Sequence, residues 1–378
     1  MFSSSSHFSP GLWTLAWRRL RADRVAMAAL VVLLLFVAML TASMSGWLAN
    51  DWADEVGVNY APPSFIGAQA DAGSGGEAEP AAAEEPPENP LDPLKDVIRE
   101  LRMEMGEANV TASAGESVGS EDSYGIADPL QAELAEIRGV QSSAAMHPAS
   151  ARKVTLPFGA DKWGHDIIKK TIKGAETSIV VGLVAALVAT VLGTLFGALA
   201  GYFGGRTDDF FNWFYSIFTS IPYLLLILAV AAVLQQKGVT TIILILGLTG
   251  WTGVFRLVRA EYMKHKEREY VLAAGAIGGS HLGRMFIHIF PNISHVALVQ
   301  MSILAVGFIK SEVILSFLGF GVPVGMVSWG SMLNEAQNEL ILGKWWQLTA
   351  ATGAMAVLVT AFSLFTDALR DALDPKLK

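Results

Sequence analysis

The chain has 378 residues, 52% hydrophobic and only 16% charged, with no cysteine and a formal net charge of -8. A soluble domain carries roughly 25% charged residues, so this composition marks a membrane protein. It excludes disulfides and Cys-ligated metals, and with no basic face it argues against nucleic acid as a partner.

The mean hydropathy is +0.43. Six apolar runs, near 25–47, 178–200, 212–234, 239–258, 293–318 and 345–369, approach the roughly 20 residues that cross a bilayer core. They predict an all-α integral membrane protein with six transmembrane helices. Its parts are an N-terminus with the first helix (1–49), an acidic insertion (50–157) and a five-helix core (158–378).

The first run follows Arg18, Arg19, Arg21 and Arg24. A signal peptide is the competing reading, but the run outlasts an h-region of about 7–15 residues. A retained span is expected. Lys/Arg placement then puts both termini in the cytoplasm, because the segments carrying Arg206, then Arg256 to Arg284, then Arg370 fall on the same side.

The insertion holds about twenty acidic and about six basic residues, rich in proline, too polar to offset chain entropy. It is expected to be largely disordered and extracytoplasmic. Two short helical patterns, Leu94 to Met105 and Leu130 to Ile137, interrupt it.

Gly193, Gly197 and Gly201 recur every fourth residue in the second run, a face along which another helix can pack closely. Pro222 should kink the third helix. Lys310 and Glu312 lie in the fifth run, two apart and so on different faces. The span between Leu234 and Val239 is short enough for a tight turn at 235–238.

The segment 269–292 reads as a short helix, a turn at Gly278-Gly279 and a second short helix stopped by Pro291. A small-residue element of this kind, on the basic side of the membrane, suits docking. His281, His288 and His295 recur every seven residues but straddle the turn and the proline, so they read as loop or interface residues. No phosphate-binding Gly-x4-Gly-Lys-Ser/Thr loop and no metal-ligand histidine spacing occur. A channel or secondary transporter would call for repeats or several charges at membrane depth. A membrane-embedded enzyme would need facing nucleophile and base residues.

Leu272-Ala-Ala274, three residues, Gly278, nine residues and His288-Ile-Phe-Pro291 resemble the signature of ABC-importer permeases. Four further stretches narrow this to the C-type subunit of the dipeptide/oligopeptide/nickel family. They are Gly159-Ala-Asp-Lys-Trp-Gly-His-Asp166, Gly201-Tyr-Phe-Gly-Gly205, Leu315-Ser-Phe-Leu-Gly-Phe-Gly321 and Asp367-Ala-Leu-Arg-Asp-Ala-Leu-Asp-Pro375. Leu272 stands where the family usually has Glu, Phe290 where it has Leu, and His165 where it has Arg.

The resemblance implies a permease in a bacterial inner membrane, with peptide as the cargo or, alternatively, nickel or a metal chelate. Its partners would be a second, B-type permease, ABC ATPase subunits and an extracytoplasmic solute-binding protein, besides membrane lipid. The chain itself would bind no cofactor, ATP being used by the ATPases, and would not be an enzyme. Glu269, Ala273, Ala274, Gly275, Gly278, Gly279 and Pro291 would form the ATPase-coupling loop. Asp161, Gly164, Asp166 and Glu312 are candidates for an outer-face motif.

Overall fold

The computed structural model describes residues 12–67, 152–323 and 325–373. The described residues form helices and turns, with isolated β-bridges but no strand. In chain order the helices are α1 (Leu12–Ala22), α2 (Arg24–Met44), α3 (Ile167–Phe203), α4 (Gly205–Thr219), α5 (Tyr223–Leu234), α6 (Val239–Thr249), α7 (Thr252–Lys266), α8 (Glu269–Ala276), a π-helical turn (Gly283–Ile289), α9 (Phe290–Phe317), α10 (Trp329–Ile341) and α11 (Trp346–Leu373). Four stretches are long and apolar enough to cross a membrane, or up to six if each of two bent pairs counts as one span.

The first bent pair is α4 and α5, which meet at 85°. The break is sharper than the kink expected at Pro222, which is the N-cap of α5. Proline has no N–H to extend the preceding helix, and it drives Ile221 away from the α region. The second pair, α6 and α7, bends by 40° and runs to Lys266, beyond the predicted 258. The tight turn at 235–238 is present, with Gln235 in the left-handed region at φ 49°.

Helix α3 is the axis of the fold. Its 37 residues span about 55 Å at 1.5 Å per residue, well beyond a bilayer core of about 30 Å. The sequence showed only its apolar part. The polar first turns are helical because Asp166 caps them, its Oδ1 accepting from the amides of Ile168 (2.8 Å) and Lys169 (3.4 Å). Val181, Ala185, Ala186 and Ala189 of α3 pack with α5, α6 and α9. Further along, Ala198 packs with Val254, Val258 and Tyr262 of α7. Near the other end, Ala175 and Ile179 meet Trp329 and Met332 of α10 and Ala351 of α11.

Helix α10 lies between the fifth and sixth apolar runs. Ser328 and Ser331 build a reciprocal capping box at its start. Gly343, at φ 75°, ends it.

Residues 50–67 and 152–166 form a folded cap over the start of α3. Two parallel bridges, Gly57 to Lys153 and Pro63 to Leu156, join its halves. Both ends of the acidic segment therefore enter ordered structure. The helical patterns near Leu94 and Leu130 lie outside the described residues.

Candidate functional site

Glu269 opens α8, where a carboxylate suits the positive end of the helix dipole. One face of this short helix is anchored, with Val271 and Ala274 buried. The other is open: Leu272 is 58% and Ile277 88% exposed, beside exposed Ala273.

A Schellman motif ends the helix. The Gly279 amide donates to the Ala274 carbonyl (2.9 Å) and the Gly278 amide to the Gly275 carbonyl (3.0 Å). The two glycines of the turn differ in kind. Gly278 sits at φ 89° with open space where a side chain would go, whereas a β-carbon on Gly279 would press on the Ala274 carbonyl. A β-carbon on Gly275 would lie 2.8 Å from Arg284 Nη1. Beyond the turn, Arg284 lies over the Tyr202 ring (5.8 Å), and its Nη2 is 3.0 Å from Nδ1 of His281.

Pro291 does not stop the second helix, contrary to expectation. Residues 281–317 are continuously helical, and Pro291 lies in the first turn of α9. The reason is the π-helical turn before it. A proline ring clashes with the carbonyl four residues back in an α-helix, and a wider turn relieves that clash. Here the Phe290 amide reaches back five residues to Met285 O. That carbonyl also accepts from the Tyr262 hydroxyl of α7 (3.2 Å). Met285, Ile289 and Val271 are buried together with Ala198 of α3 and Val258 of α7. One face of the loop thus belongs to the core.

Gly193, Gly197 and Gly201 all face α7. Built β-carbons would lie 2.6 Å from Val254 Cβ, 2.8 Å from Phe255 O and 2.5 Å from Arg259 O, respectively. Beside them Arg259 grips Asp208 of α4 through two nitrogens, at 2.5 and 2.6 Å.

At the capped end, Asp161 is fully buried and acts as a hub. Its Oδ1 accepts from the amides of Trp163 (2.8 Å) and His165 (3.0 Å). Its Oδ2 accepts from Lys170 Nζ (2.6 Å) and lies 2.9 Å from His165 Nδ1. Burial opposes ionisation of Asp161, but His165 and Lys170 outweigh it and hold the carboxyl below the usual carboxylate range. Gly164, at φ 87°, accepts at its carbonyl from the Gly57 amide (2.9 Å).

Glu312 is not part of this hub. It is buried in α9 and accepts from Ser178 (2.6 Å) and Ser316 (2.7 Å). Ser178 in turn accepts from the Trp329 amide (3.2 Å), tying α10 to α3 and α9. Lys310 is exposed. Sequence reasoning missed Lys170, Glu335 and Glu339, which surround Asp161 from α3 and α10; only the fold brings them together.

The family profile described as "Binding-protein-dependent transport system inner membrane component" matches residues 193–378. A second, "N-terminal TM domain of oligopeptide transport permease C", matches residues 11–63. The oligopeptide transport system permease protein OppC of Bacillus subtilis (strain 168) is 37% identical over 221 residues, covering 58% of this chain and 72% of that protein. This chain belongs to that permease family. Other relatives are similar to the same extent. The dipeptide transport system permease protein DppC of Bacillus subtilis (strain 168) is 37% identical, with 58% of this chain and 69% of the relative covered. The oligopeptide permease OppC of Escherichia coli (strain K12) is 36% identical, with 58% and 72% covered. The chain is therefore a membrane-embedded permease subunit of an ABC importer.

Proposed function

We propose that this permease passes peptides of the dipeptide/oligopeptide class across a bacterial cytoplasmic membrane. The names of its relatives support that cargo. Counting each bent pair as one span gives six crossings, with both termini and the α8 loop in the cytoplasm and the cap outside.

The observation that carries the mechanism is the two-sided construction of α8. Its open face, Leu272, Ala273 and Ile277, would seat in a separate ATPase subunit. Its anchored face, Val271 and Ala274, would pass the movement on to α3, α7 and α9 through Met285 and Ile289. ATP is hydrolysed in the partner, and this chain supplies displacement only. A B-type permease completes the pathway, and an external solute-binding protein delivers the peptide.

The test is purification of the tagged chain in mild detergent, with identification of what accompanies it. Recovery of a second permease and ATPases is expected, with the ATPases lost on Gly278→Asp while the second permease stays. Isolation as a lone homo-oligomer, with no ATPase after cross-linking, would sink the reading.

A further inference from the structure

A buried carboxylate at the capped end is unused by the importer reading. Glu339, in the last turn of α10, is 1% exposed, and neither of its side-chain oxygens has a hydrogen-bond partner among the described residues. An ionised carboxylate in that state is among the most costly groups to bury; a protonated one is not.

Every packed element presents charge or polarity to it. The cap brings Asp161, His165, Tyr60 and the backbone of Lys162. Helix α3 brings Lys170, 3% exposed, whose Nζ is already shared between Asp161 (2.6 Å) and Glu335 of α10 (2.5 Å). Helix α11 brings Gln347, fully buried, with its Nε2 on Met332 O and Glu335 and its Oε1 without a partner. Lys344, in the turn between α10 and α11, lies over the Trp346 indole (5.6 Å). Lys170 therefore stands among three carboxylates, two of them fully buried. Ionised Glu339 would add a further negative charge beside Asp161 and Glu335, opposed by Lys170 and the Lys162 backbone but not outweighed by them.

The site also sits at a joint. The Lys344 amide donates to the Glu339 carbonyl (2.9 Å) across Gly343. Just beyond, the Trp346 indole donates to Ala160 O of the cap (2.7 Å). A β-carbon on Gly159 would lie 2.9 Å from that indole. Cap, α10 and α11 thus meet at the turn that Glu339 underlies.

We propose that Glu339 is a proton-operated latch: carrying its proton, it lets the α10–α11 turn close on the cap, and once ionised it draws water in and parts the two. Burial first, with Asp161 and Glu335 adding to it and Lys170 opposing, pushes its carboxyl up to about 7. In the open state an ordinary glutamate value of about 4.5 applies. The sign follows from linkage. The closed state holds its proton up to about pH 7 and the open state loses it near 4.5. The opening equilibrium therefore grows about tenfold per pH unit between these values and levels off above. On the orientation proposed above the latch faces the external medium, but the test reads it in purified protein whatever that orientation.

The experiment is hydrogen–deuterium exchange with mass spectrometry on the full chain in lipid nanodiscs, from about pH 4.5 to about pH 8, corrected for intrinsic exchange. Opening of segments 156–166 and 335–347 is expected to rise by about two orders of magnitude and then level off. The near-isosteric Glu339→Gln should hold both segments closed across the range. Glu335→Gln, whose parent is partly exposed, should keep the rise. A flat wild-type profile overturns the latch. So does a rise that survives Glu339→Gln, and a rise abolished by His165→Gln alone would move the switch to His165.

Discussion

Gly197 of α3 and Phe255 of α7 pack so closely that a β-carbon on Gly197 would lie 2.8 Å from the Phe255 carbonyl oxygen. Val258 Cβ and the Arg259 amide stand within 3.0 Å of the same point. Backbone borders the space on one side, so it cannot be vacated by a rotamer change. Gly197→Ala should therefore force the helices apart and destabilise the protein by about 1–3 kcal/mol, and Gly197→Leu by more. Thermal unfolding in detergent, followed by loss of the monodisperse chromatographic peak, measures this. An unchanged midpoint for Gly197→Leu would contradict the packing.

The Arg259–Asp208 fork closes the same seam. Both side chains are partly exposed, at 26% and 17%. The coupling is accordingly modest, about 1 kcal/mol in a double-mutant cycle, reduced by salt. Arg259→Lys should lose most of it, since an ammonium cannot make two parallel bonds. Equal stability of Arg259→Lys and the wild type would show that the second bond contributes nothing.

Gly278 and Gly279 separate docking from folding. Gly278→Asp places a charge in open space, at a cost of about 1 kcal/mol for its positive φ. It should leave the amount of folded protein in the membrane nearly unchanged and abolish transport. Gly279→Ala meets the Ala274 carbonyl instead and should lower folded yield together with transport. Membrane yield and uptake, measured side by side, check this. Normal uptake by Gly278→Asp would remove the loop from the coupling path.

Much of this was legible because it is local. Runs of apolar residues name membrane helices, the four-residue glycine period names a packing face, and a Gly-Gly pair names a helix end. The period could not name α7 as the partner, because which helix lies alongside is decided by tertiary packing. Pro291 misled because the rule against internal proline holds for α geometry, and the π-turn ending in Ile289 escapes it. Helix α10 was hidden because its apolar residues, Trp329, Met332 and Ala336, are too few to register as a span, although Ser328 and Ser331 already spelled its cap. Glu312 and Asp161, both candidates for the outer face, take different partners for a related reason. A buried acid announces a partner but not which one, and Glu312 finds serines while Asp161 finds Lys170.

The acidic segment leaves and returns through paired backbone. The Ser64 amide donates to Leu156 O (2.8 Å), and on either side of Gly57 the Val58 amide donates to Lys153 O (3.0 Å) and the Lys153 amide to Val56 O (2.9 Å). Replacing residues 68–151 with a short Gly-Ser linker should therefore leave the cap folded. Shortening the loop lowers closure entropy, worth up to about 2 kcal/mol. The melting midpoint should stay or rise, and a fall of several degrees would mean that the segment carries structure the cap depends on.

Asp161 answers to acid in the sense opposite to Glu339. Its carboxyl is held below the ordinary value of 3.8, burial being outweighed by His165 and Lys170. A depressed carboxylate stabilises fully above its unfolded value and loses that contribution as pH falls below it. The cap should accordingly loosen below about pH 4, and the Asp161 contribution should be fully present and independent of pH near neutrality. Asp161→Asn should remove the charge that pairs with Lys170 and leave a nearly buried ammonium with Glu335 alone, costing about 3–5 kcal/mol. Fluorescence of Trp163 and Trp346, which border the cap, reports its opening. Retention of the wild-type signal by Asp161→Asn at pH near 7 would show that the hub does not hold the cap.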